Sequence, residues 1–186
     1  FVLDEPDAGN RSTGGASRWW LHGSLAALDG TLRARGSRLV LRRGAVDTAI
    51  AQLLSETGAD AVYWNQRYEP WARAQDERLK TALTDRGIEV RSFNAALLCE
   101  PWTFSNRQGE PYRVFTPFWR ALRVRVDPAA PVRPPERIPA PPVFPVGDDL
   151  ASWALRPTRP DWAGGLAAAW TPGEAGAHAR LDAFTD

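Results

Sequence analysis

One stretch constrains this chain more than any other: Ala61-Val62-Tyr63-Trp64 running straight into Asn65-Gln66-Arg67-Tyr68-Glu69-Pro70. A short apolar run of this kind reads as a buried strand. The polar corner follows at once, and Pro70 stands where a helix would begin. Proline suits that position, because its φ is already helical and the N–H it lacks would have no intrahelical partner there. A strand that turns directly into a helix is half of a βα unit. In an open sheet of such units, ligands sit beyond the carboxyl ends of the strands. The corner is therefore the first place to look for a site.

The same grammar repeats on either side. Phe1-Val2-Leu3 reads as a strand ending in the acidic corner Asp4-Glu5-Pro6-Asp7, and residues 8–15 as a glycine- and serine-rich loop. Ser17 is a plausible N-cap for a helix whose stripe is Leu21, Leu25, Leu28 and Leu32, with Gly36 as its stop. Leu39-Val40-Leu41 reads as a short buried strand. Residues 45–57 read as a helix with Val46, Ile50, Leu53 and Leu54 inward, closed by Gly58. After the central strand, a helix from Pro70 to about Arg86 turns Ala72, Gln75, Leu79, Ala82 and Leu83 to one side, with Gly87 at its end. Residues 88–93 alternate as a closing strand. Strand and helix thus alternate through seven elements. That pattern predicts right-handed crossovers and an α/β fold, a parallel sheet with helices on both faces.

Beyond Phe93 the alternation stops. Residues 95–113 read as a long loop with Pro101, Gly109 and Pro111, and residues 117–125 as a short helix with Pro117 near its start. Ten of the sixteen prolines fall between 128 and 160, which predicts an extended linker rather than a packed domain. Pro172-Gly173-Glu174 then opens a run with Ala177, Leu181 and Phe184 at helical spacing, the expected first helix of a further domain. The chain contains no methionine and opens inside an apolar run, as expected of a piece of a longer protein.

Composition narrows the function classes. The net charge is +1, so a globally basic nucleic-acid surface is not indicated. Cys99 is the single cysteine, which excludes an intrachain disulfide framework and fits a reducing, cytoplasmic setting. No apolar run is long enough to span a membrane, and no signal peptide is visible. His22, His178 and Cys99 show no metal-ligand spacing, so no metal site is expected, and no nucleophile has a positioned base. Neither dinucleotide nor P-loop glycine motif is present, although Gly14-Gly15 before a helix leaves room for an anion there. What remains is the corner chemistry. Asp4, Arg67 and Glu69 each follow a strand, and Arg18 opens the helix after the first. Such groups can orient a planar polar ligand through directed hydrogen bonds, or can form a solvated salt-bridge cluster.

Four stretches resemble the N-terminal part of the DNA photolyase/cryptochrome family. They are Gly14 to Leu25 with Leu28, Leu32 and Gly36 to Leu39; Trp64 to Pro70 with Arg73 and Asp76; Val114 to Trp119; and Trp170 to Ala177 with Leu181 and Phe184. The resemblance implies a Rossmann-like α/β domain that holds a light-harvesting antenna, then a linker, then an all-helical domain that binds FAD and damaged DNA. On that scheme residues 1–125 are the antenna-binding domain lacking its first strand, 126–170 the interdomain linker, and 171–186 the start of the helical domain. It implies a monomeric light-driven lyase acting on pyrimidine dimers, with no catalytic residue in this stretch of chain. Carried over position by position, Leu3, Asp4, Arg18, Arg67 and Glu69 are the antenna-pocket candidates. Some deazaflavin-binding members have an acid where this chain has Arg67, and one folate-binding branch has Asn-Glu where this chain has Trp71-Ala72. The antenna is thus left open among a deazaflavin, a flavin, a folate or none. A cryptochrome-type photoreceptor shares the same α/β domain, and an unrelated nucleotide-binding α/β module is a third reading.

Overall fold

The computed structural model describes residues 1–4, 13–127, 130 and 132–186. The acidic corner at 5–7 and most of the loop expected over 8–15 lie outside the described residues. In chain order the elements are β1 (Val2–Leu3), α1 (Gly15–Ala34), β2 (Arg42–Arg43), α2 (Val46–Thr57), β3 (Ala61–Asn65), α3 (Pro70–Thr84), β4 (Glu89–Phe93), α4 (Phe115–Arg125), a 3-10 turn (Leu150–Trp153), α5 (Gly164–Ala169) and α6 (Glu174–Thr185). No helix among the described residues is long and apolar enough to cross a membrane.

The class is the predicted one, α/β with parallel strands and helices on both faces. β1 pairs with β2 and β3 with β4, both in parallel, and a crossover helix joins each pair. The chain forms two compact units, Phe1–Ala59 with Pro135–Asp186, and Asp60–Pro134.

In the first unit the ladder lies at Arg42–Arg43, just after the apolar triplet expected as the strand. Leu41 is buried all the same, in a core with Leu3 and Leu25. Helix α1 begins at Gly15 with Gly14 as its N-cap, three residues before the expected cap Ser17. The reason is local. Arg18 donates its N–H to the Gly14 carbonyl at 2.9 Å, which closes the first turn without a side-chain cap. Of the predicted leucine stripe, Leu25 is buried but Leu28 is 44% exposed. Helix α2 ends at Gly58, whose φ of 65° is the left-handed cap expected of a glycine there.

The proline-rich stretch has little regular structure, yet it is not a free tether. Trp153 and Leu155 join Leu3, Leu25 and Leu41 in the first unit's core. Proline cannot donate a backbone hydrogen bond, so the other residues of the stretch supply its N–H donors and the prolines only accept. Ile138 donates to the Arg35 carbonyl at 2.8 Å, and Asp148 to the Leu41 carbonyl at 2.8 Å. Arg38 donates to the Pro145 carbonyl at 3.2 Å and lies 4.5 Å over the Phe144 ring. Helix α6 forms over its expected span, but its apolar residues Leu181 and Phe184 are exposed.

In the second unit β3 and β4 pair from Ala61 with Glu89 through Asn65 with Phe93. Helix α3 buries Ala72, Leu79 and Leu83, three of the five residues that its spacing predicts to face inward. The region expected as a plain loop builds a small aromatic core. Phe104 lies 5.6 Å from both Tyr112 and Phe118, and the Arg125 guanidinium covers it at 4.5 Å. Helix α4 starts at Phe115, two residues earlier than expected, and its Phe118 belongs to this cluster.

Candidate functional site at the strand-to-helix corner

The corner is built by extending the β3–β4 ladder one step. Gln66 donates its N–H to the Phe93 carbonyl at 2.9 Å, so β3 stays tied to β4 as it leaves the strand. The chain then turns into α3 with Pro70 in the first turn, and the Glu69 carbonyl accepts from Arg73 at 2.9 Å. The result is a corner held by backbone bonds, from which three side chains depart in different directions.

Arg67 turns inward along α3. Its Nε donates to Asp76 Oδ2 at 3.3 Å and its Nη2 to Asp76 Oδ1, a two-pronged guanidinium–carboxylate pair. Nη2 also donates to Gln75 Oε1 at 2.8 Å and to the Ala72 carbonyl at 3.4 Å. The guanidinium lies 5.5 Å from the Trp71 ring centre. Arg67 is thus a strut that fixes where α3 starts. Tyr68 turns the other way. Its hydroxyl reaches both Glu100 oxygens, at 2.9 and 3.0 Å, and its ring lies against Trp102 at 6.3 Å and 28°. Desolvation, and then the hydrogen bond to Glu100, raise the phenol above its ordinary pKa. Glu69 is exposed, and its carboxylate makes no capping bond to α3.

Beside Arg67 is a cavity of about 160 Å³ lined by Trp64, Gln66, Arg67, Asp76, Lys80 and Ser92 among others. It lies at the carboxyl end of β3 and β4, where the strand order places it. Its lining is polar and charged. Asp76 is committed to Arg67, Arg73 meets Glu77 only loosely at 3.8 Å, and Lys80 has no carboxylate partner among the described residues.

The other three predicted residues belong to the first unit. Leu3 ends β1 and is buried in the core. Asp4 follows it and accepts from the N–H of Val46 at 3.4 Å, so its carboxylate sits at the start of α2, where the helix dipole favours a negative charge. Arg18 is half-buried in the first turn of α1. The structure therefore groups Leu3 with Asp4 at the end of β1, and Arg67 with Glu69 at the end of β3. The sequence reading did not single out Gln75 and Asp76 as Arg67's partners, nor Glu100 and Trp102 as Tyr68's. Asp76 was within reach, since it lies less than two helical turns after Pro70. Glu100 was not, because it stands in a loop without periodicity.

One further titratable group is unusual. His22, on α1, has its pKa lowered, first by desolvation and then by the nearby Arg156 charge. A histidine whose folded pKa lies below its unfolded value contributes stability that is present above the unfolded pKa. That stability is lost as pH falls toward the folded value. Urea denaturation between pH 8 and 5 is therefore expected to show stability declining from about pH 6.5 downward, the unperturbed histidine value. His22→Gln is expected to flatten that decline. An unchanged slope in the variant would assign it to the carboxylates instead.

Comparison with known proteins agrees with this architecture. The DNA photolyase family model matches residues 1–141. The chain is 51% identical over 173 residues to a deoxyribodipyrimidine photo-lyase of Agrobacterium fabrum, covering 93% of this chain and 36% of that protein. It is 36% identical over 195 residues to Cryptochrome-1 of Arabidopsis thaliana, covering 99% of this chain and 27% of that protein. Among solved structures, the crystal structure of a bacterial class III photolyase from Agrobacterium tumefaciens superimposes with a TM-score of 0.91 at 49% identity. That match covers 98% of this chain and 38% of the photolyase. The chain thus spans about a third of the length of the relatives it matches.

Proposed function

Because the chain belongs to the DNA photolyase family, we propose that it is the N-terminal α/β part of a light-driven lyase that splits cyclobutane pyrimidine dimers in DNA. The observation that carries this reading is the class III photolyase match, with its TM-score of 0.91 over 98% of the chain. The family match also sets aside the unrelated nucleotide-binding module. On this reading the whole protein is a cytoplasmic monomer. Residues 1–125 form its antenna domain, 126–170 the linker, and 171–186 the start of the helical domain that holds FAD and the lesion. When bound there, reduced FAD supplies the electron that opens the dimer. No residue of this chain is assigned to that chemistry.

The residues here serve the antenna. Leu3, Asp4, Arg18, Arg67 and Glu69 are proposed as its contacts. Two features support the assignment. Asp4 and the Arg67–Glu69 corner each follow the carboxyl end of a parallel strand, and the Glu69 carboxylate is exposed and makes no capping bond. The fit is partial. The corner cavity, about 160 Å³, is smaller than the roughly 300–1,000 Å³ of ordinary small-molecule sites. By itself it suits a polar edge or tail of a deazaflavin, flavin or folate rather than a whole ring system. Arg67 would act there as a scaffold, since Asp76 and Gln75 already occupy its donors.

The test uses the intact protein. Glu69→Gln is expected to weaken antenna binding by about tenfold, the value of one charge-assisted hydrogen bond. Repair under light absorbed directly by the flavin is expected to stay unchanged. If direct-excitation repair fell instead, the corner would be a folding or catalytic element. Repair of dimer-containing DNA under light is the readout for the lyase itself. Its absence, with flavin photoreduction intact, would favour a cryptochrome-type photoreceptor. The 36% identity to Arabidopsis Cryptochrome-1 supports that second reading.

A further inference from the structure

The first unit holds a cavity of about 650 Å³ that the proposed function above does not use. His22 of α1 forms one side, and the chain from Ala151 to Trp162 forms the rest. None of the five antenna candidates lines it. Its size falls within the range of small-molecule sites.

The charge of the lining is one-sided. Arg156 and Arg159 both face the cavity, and no aspartate or glutamate among the described residues lines it. Neither arginine has a carboxylate or hydrogen-bond partner among the described residues. The nearest acid in sequence, Asp161, is committed to its own turn, accepting from the Ala163 N–H at 3.0 Å. Two unpaired guanidinium forks that share one concave surface suit an anion with several oxygens.

Three further features mark the place as built. Trp162 lies against the start of α1, where a side chain at Gly15 would put a Cβ 2.7 Å from its ring, yet the residue is 48% exposed. The glycine thus seats one edge of the indole and leaves much of it open. His22 Nδ1 is buried without a hydrogen-bond partner among the described residues, a state that favours pairing with a bound group or water. Ala154, on the rim, holds φ 47° and ψ 42°, a left-handed conformation that alanine keeps only where its surroundings enforce it.

We infer that this cavity binds a small phosphorylated heteroaromatic molecule of the nucleoside monophosphate class. Arg156 and Arg159 take the phosphate, the Thr158 hydroxyl assists, and the Trp162 indole takes the flat ring. Phosphate and ring are both required. A bare anion would leave the indole unused, and an uncharged nucleoside would leave two guanidiniums without a counter-charge.

The test is isothermal titration of the intact protein that carries this chain, with AMP, adenosine and inorganic phosphate as probes. AMP is expected to bind more tightly than either of the others. Arg156→Gln with Arg159→Gln is expected to weaken AMP by about tenfold or more, through loss of charge-assisted bonds. Trp162→Ala is expected to weaken AMP by about three- to tenfold and leave inorganic phosphate unchanged. Both arginines are exposed, so circular dichroism and melting should match the parent. Should the double glutamine variant melt lower, Arg156→Lys with Arg159→Lys keeps the charge and removes only the forks, and an intermediate AMP affinity is expected. Absent AMP binding, or equal affinity in parent and both double variants, would overturn the inference. Binding of single-stranded DNA but not AMP would also overturn it, and would mark the patch as a nucleic-acid contact.

Discussion

Trp153→Ala is expected to lower the unfolding free energy by about 3–5 kcal/mol, the usual cost of emptying a buried aromatic site. Trp153 is 2% exposed and packs with Leu3, Leu25, Leu41 and Leu155. Its indole N–H donates to Asp148 Oδ2 at 3.1 Å, so the substitution also leaves that carboxylate without its partner. The residue lies in a stretch whose proline content reads as a tether. The measurement is urea denaturation of the parent and variant, with Val143→Ala as the control. Val143 lies in the same stretch but is 79% exposed, and its truncation is expected to cost less than about 0.5 kcal/mol. Equal, small losses for both would mean that the stretch is not part of the first unit's core.

The second large effect is expected at Gly173. The residue caps α6 with φ 105° and ψ 170°, a region that side-chain-bearing residues essentially do not occupy. A Cβ added there would also lie 2.7 Å from the Ala27 Cβ on α1. Conformational strain and steric overlap are separate costs, and together they are expected to exceed about 2 kcal/mol for Gly173→Ala. Because α6 buries little of itself, the loss is expected as local release. Limited proteolysis should then cut the variant after residue 170 well before the rest of the chain. Gly23→Ala offers a second probe of the same attachment, since its Cβ would lie 2.7 Å from the Pro172 ring. A Gly173→Ala protein as resistant as the parent would show that the chain accommodates the added methyl by a small shift.

The parts legible in the sequence share one physical basis. Periodicity and backbone chemistry act over a few residues, so they can be read without knowing the neighbours. The β3 run, the proline start of α3 and its inward face at Ala72, Leu79 and Leu83 follow from local sterics and from burial at 3.6-residue spacing. The left-handed stop at Gly58 is of the same kind. The corner was legible as a place, because strand direction alone puts it at the carboxyl edge of a parallel pair.

What each corner side chain does there was not legible. Arg67, Tyr68 and Glu69 are adjacent, equally polar, and meet entirely different fates. Arg67 is drawn to Asp76 by a charge nine residues away, and Tyr68 to Glu100 by a loop thirty-two residues away. Glu69 stays exposed. The aromatic core of Phe104, Tyr112 and Phe118 was hidden for the same reason, since irregular chain carries no period to betray which rings converge.

By itself, then, the sequence determined the α/β class, the parallel alternation, the position of the corner and the family. Each rests on local patterns that survive in any context. Only the tertiary structure decided that a proline-rich stretch supplies Trp153 and Leu155 to the first unit's core, and that Leu28 on the predicted stripe stays exposed. Burial depends on which segments meet across long separations in sequence, and no residue's own chemistry specifies that.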